Sequence, residues 1–163
     1  MGADPLRKDI FIEIAYMAGH QPQQQALDLV VAAFADAPVD NPDGSTGITL
    51  HCLTGSEVPY AELIGDETTP GIYEWKGANP AYTYFDDIKA QYFTESLAAV
   101  GHYCLFAHKI RFDDNTVSGI SRGDAAAGYT ANEFIVSFGG VGVGGVGSVN
   151  QQAGTFMHEL GHD

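Results

Sequence analysis

Apolar and β-branched residues run from Ile10 to Tyr16 with only Glu13 interrupting them, the profile of a buried strand. After Gly19-His20-Gln21-Pro22 the pattern changes period. Between Gln23 and Ala37, the apolar residues Ala26, Leu29, Val30, Ala33, Phe34 and Ala37 fall three and four apart, and Pro38 follows. That spacing predicts an amphipathic helix. Asp40 to Ser45 is turn chemistry, and Ile48 to Leu53 reads as a second strand, with Ile48–Cys52 its core. A βαβ unit therefore opens the chain, expected to be parallel and right-handed. Residues 54–81 show no period and predict a long surface excursion. Tyr84 to Val100 predicts a second helix, with Phe85, Ile88, Tyr92, Phe93, Leu97 and Val100 as its apolar set. His102 to Phe112 alternates as a third strand around Tyr103–Ile110. Thr116 to Ser121 fits a short edge strand, and Glu133 to Phe138 a further core strand. Six glycines between Gly139 and Gly147 lead into a last helix that Ser148 or Asn150 can cap. The expected architecture is α/β (α+β): one domain over residues 1–163 with a mixed sheet.

Composition narrows the partners. The 163 residues are 45% hydrophobic, ample for one core, and carry 7 Lys and Arg against 21 Asp and Glu, a formal charge of −14. Such acidity disfavours nucleic acids and anionic membranes, which need cationic surface. No apolar run is long enough to span a bilayer. The first residues lack the apolar stretch of a signal peptide, so the compartment stays open. Cys52 and Cys104 are too few for a disulfide scaffold; buried thiols or one inter-strand disulfide are both open.

The chemistry concentrates at His158-Glu159-Leu160-Gly161-His162. Histidines four apart on a helix project from one face and can grip one Zn²⁺ through neutral imidazole nitrogen. Glu159, beside the first of them, is placed to take a proton from a zinc-bound water and hand it to a leaving amine. His158 and His162 are thus the candidate metal ligands, Glu159 the candidate general base, and Zn²⁺ the expected cofactor. The expected reaction is hydrolysis of a peptide or protein substrate. Asp163 points about 100° further round the helix and is a poor third ligand.

The order of strand, helix, strand, excursion, strands and terminal helix, with the run Gly154-Thr155-Phe156-Met157-His158-Glu159-Leu160-Gly161-His162, resembles the N-terminal subdomain of a metzincin-type zinc metallopeptidase. The resemblance implies a zincin-like mixed, twisted sheet backed by two helices, with the active-site helix beneath it. It also implies a cleft along the sheet's edge strand in which substrate lies extended, and a secreted setting. In that family a third ligand and a methionine turn follow the motif, and here they would lie after residue 163. The expectation is an incomplete catalytic unit without its C-terminal subdomain. Such a unit would bind zinc weakly, show no turnover alone, and self-associate through apolar surface left around Phe156, Met157 and Leu160. The alternatives are a non-catalytic zinc-binding domain, and an acidic interaction module in which the motif arose by chance.

Other features have plainer readings. Gly142-Val143-Gly144-Gly145-Val146-Gly147 spells a dinucleotide fingerprint, but the residues after it belong to the zinc helix and leave no room for the second strand and acidic residue such a unit needs. A flexible or tightly turned connector is expected. His102 and His108 share a parity on the predicted strand and are an accessory metal pair at best; His20 and His51 read as core or surface histidines. Asp40, Asp43, Asp113, Asp114 and Asn115 lack calcium-loop spacing and read as turns. The aromatic cluster of Tyr82, Tyr84, Phe85, Tyr92 and Phe93 reads as packing.

Overall fold

A computed structural model of the protein describes residues 2–65, 83–94, 97, 99–112, 115–122 and 132–162. Seven strands and three helices of four residues or more occur among them: β1 (Asp9–Met17), α1 (Gln24–Ala35), β2 (Thr49–Val58), α2 (Phe85–Tyr92), β3 (Gly101–Ala107), β4 (Ile110–Phe112), β5 (Asn115–Val117), β6 (Gly119–Ser121), β7 (Glu133–Ser137) and α3 (Val149–Leu160). Five strands form a mixed sheet in the order β2-β1-β3-β7-β6; β4 and β5 pair as a separate antiparallel hairpin. β1 pairs in parallel with β2 and β3, and β3 in parallel with β7, while β6 runs antiparallel to β7. The parallel β1-α1-β2 unit expected from the sequence is present.

Strand alternation divides the core into two faces. Ile12 and Ile14 of β1, Cys104 and Phe106 of β3, and Phe134 and Val136 of β7 meet α1 and α3 on one side. Ala15 and Met17, Tyr103 and Leu105, and Ile135 meet Phe85 and Ile88 of α2 on the other. Each such side chain removed from water contributes roughly 1.5–3 kcal/mol, and covering on both sides explains why the β1 sequence is apolar almost throughout.

Several boundaries differ from the sequence expectation. The stripe of α1 is rotated: Ala26, Leu27 and Val30 are buried, while Leu29 faces solvent. The long helix expected over Tyr84–Val100 ends at Tyr92, because the Thr94 backbone N–H and hydroxyl both donate to the buried Glu13 carboxylate (3.0 and 2.8 Å). That pulls Phe93 into extended backbone. β2 runs on to Val58 instead of ending near Leu53; its polar continuation is an edge strand exposed on both sides, with a bulge opposite Ile14–Tyr16. The expected third strand stops at Ala107, and Ile110–Phe112 turns away into the hairpin. The single edge strand expected at Thr116–Ser121 is two strands, one in each sheet. Most of the excursion, residues 66–81, lies outside the described residues, as do Tyr82 of the expected aromatic cluster, Asp113, Asp114 and Asp163.

A buried ionic cluster ties α2 to the sheet. The Glu133 side chain, 2% exposed, accepts from Lys89 and from Arg122 Nη1 (2.7 Å), and Arg122 Nη2 reaches Asp86 at 2.8 Å. Two cations offset the cost of one buried carboxylate.

Candidate metal centre

The connector into α3 is built from glycine for steric reasons. Gly144, Gly145 and Gly147 hold positive φ, and a Cβ at Gly147 would lie 2.8 Å from the Phe138 ring. Ser148 then caps α3: its hydroxyl accepts from the Gln151 N–H (3.3 Å), and the Gln151 side chain accepts from the Ser148 N–H (2.9 Å). These reciprocal bonds satisfy donors the first turn would otherwise leave unpaired. The rotation of α3 is set by what it buries. Ala153, Phe156 and Leu160 enter the core, Phe156 edge-on to Phe134 with centroids 5.1 Å apart. Gln152, also buried, accepts from the Gln23 N–H and donates to the Val146 carbonyl, each at 2.8 Å.

With that face fixed, His158 and His162 fall on the opposite side and are exposed. Gly161 keeps helical backbone (φ −73, ψ −13), so the four-residue relation survives the end of the helix. The two Nε2 atoms stand 3.1 Å apart with ring planes at 83°. Two imidazoles bound to one tetrahedral Zn²⁺ at about 2.05 Å hold their nitrogens about 3.3 Å apart, so this pair fits two of the four positions. Both rings lie open to solvent at the end of α3 instead of enclosed beneath the sheet.

Glu159 turns the other way and is buried. Its carboxylate lies over Gly119 of β6: a Cβ there would come within 2.6 Å of both Glu159 Oε1 and Thr155 Cγ2. The Thr155 hydroxyl donates to Ser118 Oγ (3.3 Å), and Ser118 O accepts from the Ser137 N–H (2.8 Å). α3 thus leans on the antiparallel edge strand, with Glu159 between that strand and the two histidines. Ser118 and Thr155 carry no sequence signal for this role; for Gly119, a glycine opening a short strand is the one signal that points to a close approach.

Of the apolar residues expected to be uncovered, Phe156 and Leu160 are buried and Met157 alone is exposed, with Val141 and Val143 exposed on the preceding turn. The patch expected to drive self-association is thereby reduced, because the sheet itself covers the inward face of the helix. Among the described residues no three His, Cys, Asp or Glu side chains converge on one point that could hold a metal ion; His158 and His162 are a pair.

The other candidates resolve individually. His51 bonds Asp9 (2.5 Å) and stacks on Phe11 at 4.3 Å. His108 lies past the end of β3, so alternation no longer relates it to His102; its neighbour is His20. Asp43 accepts from the Ser45 N–H and hydroxyl and from Arg7, which hold its carboxyl down to about 2. Cys52 and Cys104 are both thiols, and β1 separates their strands. Two strand spacings put them roughly 9.6 Å apart, beyond the ~7 Å reach of a disulfide. Phe93 packs against Phe85 (6.1 Å) and Tyr103 (4.6 Å), as an aromatic packing cluster should.

Together these define an α/β domain with a five-stranded mixed sheet and an i, i+4 histidine pair on the helix beside its antiparallel edge. No protein-family model, curated protein or solved structure matches the chain. No helix among the described residues is long and apolar enough to cross a membrane.

Proposed function

We propose that the chain is the zinc-carrying part of a metzincin-like metallopeptidase, in which His158 and His162 hold Zn²⁺ and Glu159 is the proton carrier for peptide hydrolysis. The observation that carries the reading is the 3.1 Å separation of the two Nε2 atoms; Glu159, buried against β6, has to swing its carboxylate toward the pair to act. Bound there, zinc supplies Lewis-acid polarisation of the scissile carbonyl and makes water a nucleophile near neutral pH. The Glu159 carboxylate takes one proton from the attacking water as the C–O bond forms. It passes that proton to the amide nitrogen as the C–N bond breaks. β6, the sheet's edge, offers main-chain groups to a peptide lying extended beside Glu159. Catalytic zinc takes three protein ligands, and the His158–His162 pair supplies two of them.

The test compares wild type with Glu159→Gln in zinc uptake and casein cleavage, using the natural full-length protein. The expected outcome is zinc uptake in both proteins, with chelator-sensitive cleavage in wild type that falls about 10²–10⁴-fold in the variant. Cleavage that survives Glu159→Gln removes the proposed role. Stoichiometric zinc without cleavage supports the non-catalytic zinc domain, a reading favoured by the exposure of both histidines.

A further inference from the structure

The parallel strands β1 and β3 lie side by side, and the chain leaves β1 toward β2 on one flank and β3 toward β7 on the other. The carboxyl ends of two such strands form the crevice in which open α/β sheets place ligands. Each strand is followed there by a histidine. Gly19, at φ +79, turns the chain back so that the His20 N–H donates to the Met17 carbonyl (2.8 Å). His108 follows the last residue of β3, and its carbonyl accepts from the Gly139 N–H (2.6 Å). A Cβ at Gly139 would lie 2.6 Å from His108 Nε2, so the bare glycine makes the room the ring occupies.

We propose that His20 and His108 are the two protein ligands of a second metal site, its remaining positions open to water, for a single borderline divalent transition-metal ion such as Zn²⁺ or Cu²⁺, separate from the His158–His162 pair. His20 Nε2 and His108 Nδ1 stand 3.2 Å apart, close to the about 3.3 Å spacing of two imidazole nitrogens on one tetrahedral ion. Imidazole donors select this class of ion over Mg²⁺ or Ca²⁺. The other nitrogen of His108 faces the Glu62 carboxylate at 3.7 Å, and the Tyr60 hydroxyl holds Glu62 at 2.7 Å. A carboxylate on the far nitrogen of a histidine is the usual outer support of a metal-binding imidazole. The Tyr60 ring lies along His20 (6.0 Å, 20°) and against His108 (5.2 Å), restricting both rings. His20, His108, Tyr60 and Glu62 remain in part accessible, so an ion can enter from solvent.

The site is read in a chain carrying His158→Ala and His162→Ala, so its outcome is independent of the peptidase reading. Equilibrium dialysis against Zn²⁺ alone is expected to show one bound equivalent and a raised Tm. Adding His20→Gln should weaken uptake by more than about 10-fold, and adding Glu62→Gln by about 10-fold, the usual loss for an outer partner. Circular dichroism confirms that each variant is folded. In the intact chain, substoichiometric Co²⁺ should broaden the imidazole resonances of His20 and His108, a readout that needs no substitution there. Absence of stoichiometric zinc in the double variant, uptake unchanged by His20→Gln, or sharp His20 and His108 resonances beside Co²⁺ would each overturn the proposal and leave a hydrogen-bonded imidazole pair.

Discussion

Gly119 shows how one missing methyl shapes the candidate centre. Glu159 occupies the space a side chain at 119 would fill, so Gly119→Ala must push the carboxylate, Thr155 or the edge strand aside. Overpacking of this kind costs about 1–3 kcal/mol, which a urea midpoint reads directly. Cleavage should fall with it if Glu159 is the proton carrier. Cys52 makes a second case. Burial, with Asp28 nearby, pushes its thiol up to about 11 from 9.0. Iodoacetamide should therefore label it about 100-fold more slowly than an exposed thiol, because each pKa unit removes roughly a factor of ten in thiolate. Labelling of the native chain at the rate of a free thiol would contradict the burial. At this scale the sequence revealed His158, Glu159 and His162 through spacing alone. It was silent on Gly119 and on the His20–His108 pair, whose members meet only once strands far apart in sequence lie side by side.

Among the elements, α3 was legible because every local signal agreed: a capping residue, an apolar stripe at helical spacing, and glycines just before it. Ser148→Ala removes the cap and should cost about 1 kcal/mol, measured as a drop in unfolding free energy with an unchanged denaturant slope. α2 is shorter than its apolar spacing predicts because the Thr94–Glu13 bonds that end it join residues 81 apart, a contact no window of sequence contains. β2 was cut short because an edge strand exposed on both sides has no alternation to betray it. Glu133 is the element-scale liability. Arg122→Met leaves a buried carboxylate with Lys89 as its remaining cation and should destabilise the fold by about 3–5 kcal/mol. Glu133→Gln added to that variant should recover part of the loss, which a double-mutant cycle would detect.

For the molecule as a whole, a charge of −14 sets the response to salt. Self-repulsion opposes the compact state and is screened within about 10 Å at 0.1 M salt. The calorimetric Tm should therefore rise from low to moderate NaCl, and a flat or falling curve would argue against net repulsion. Acid works through particular groups. The Asp43 carboxyl is held down to about 2, from 3.8, by Ser45 and Arg7. A folded pKa below the unfolded one gives stability that is complete above about pH 4 and is lost as pH falls through about 2. Asp9, lowered by its bond to His51, adds in the same direction, so urea midpoints should fall between pH 4 and 2. Substituting Asn at both positions should flatten that limb.

The central position of β1 also dictates how the chain must assemble. Its partner β3 begins at Gly101, and β7, which β3 needs on its other side, begins at Glu133. Nearly all of the sheet is therefore closed by encounters between distant segments, for which loop-closure entropy must be met before any pairing rewards it. Stopped-flow refolding should be slow for the chain's size, in milliseconds to seconds. α3, whose inward face needs β7 already in place, should gain its native contacts late.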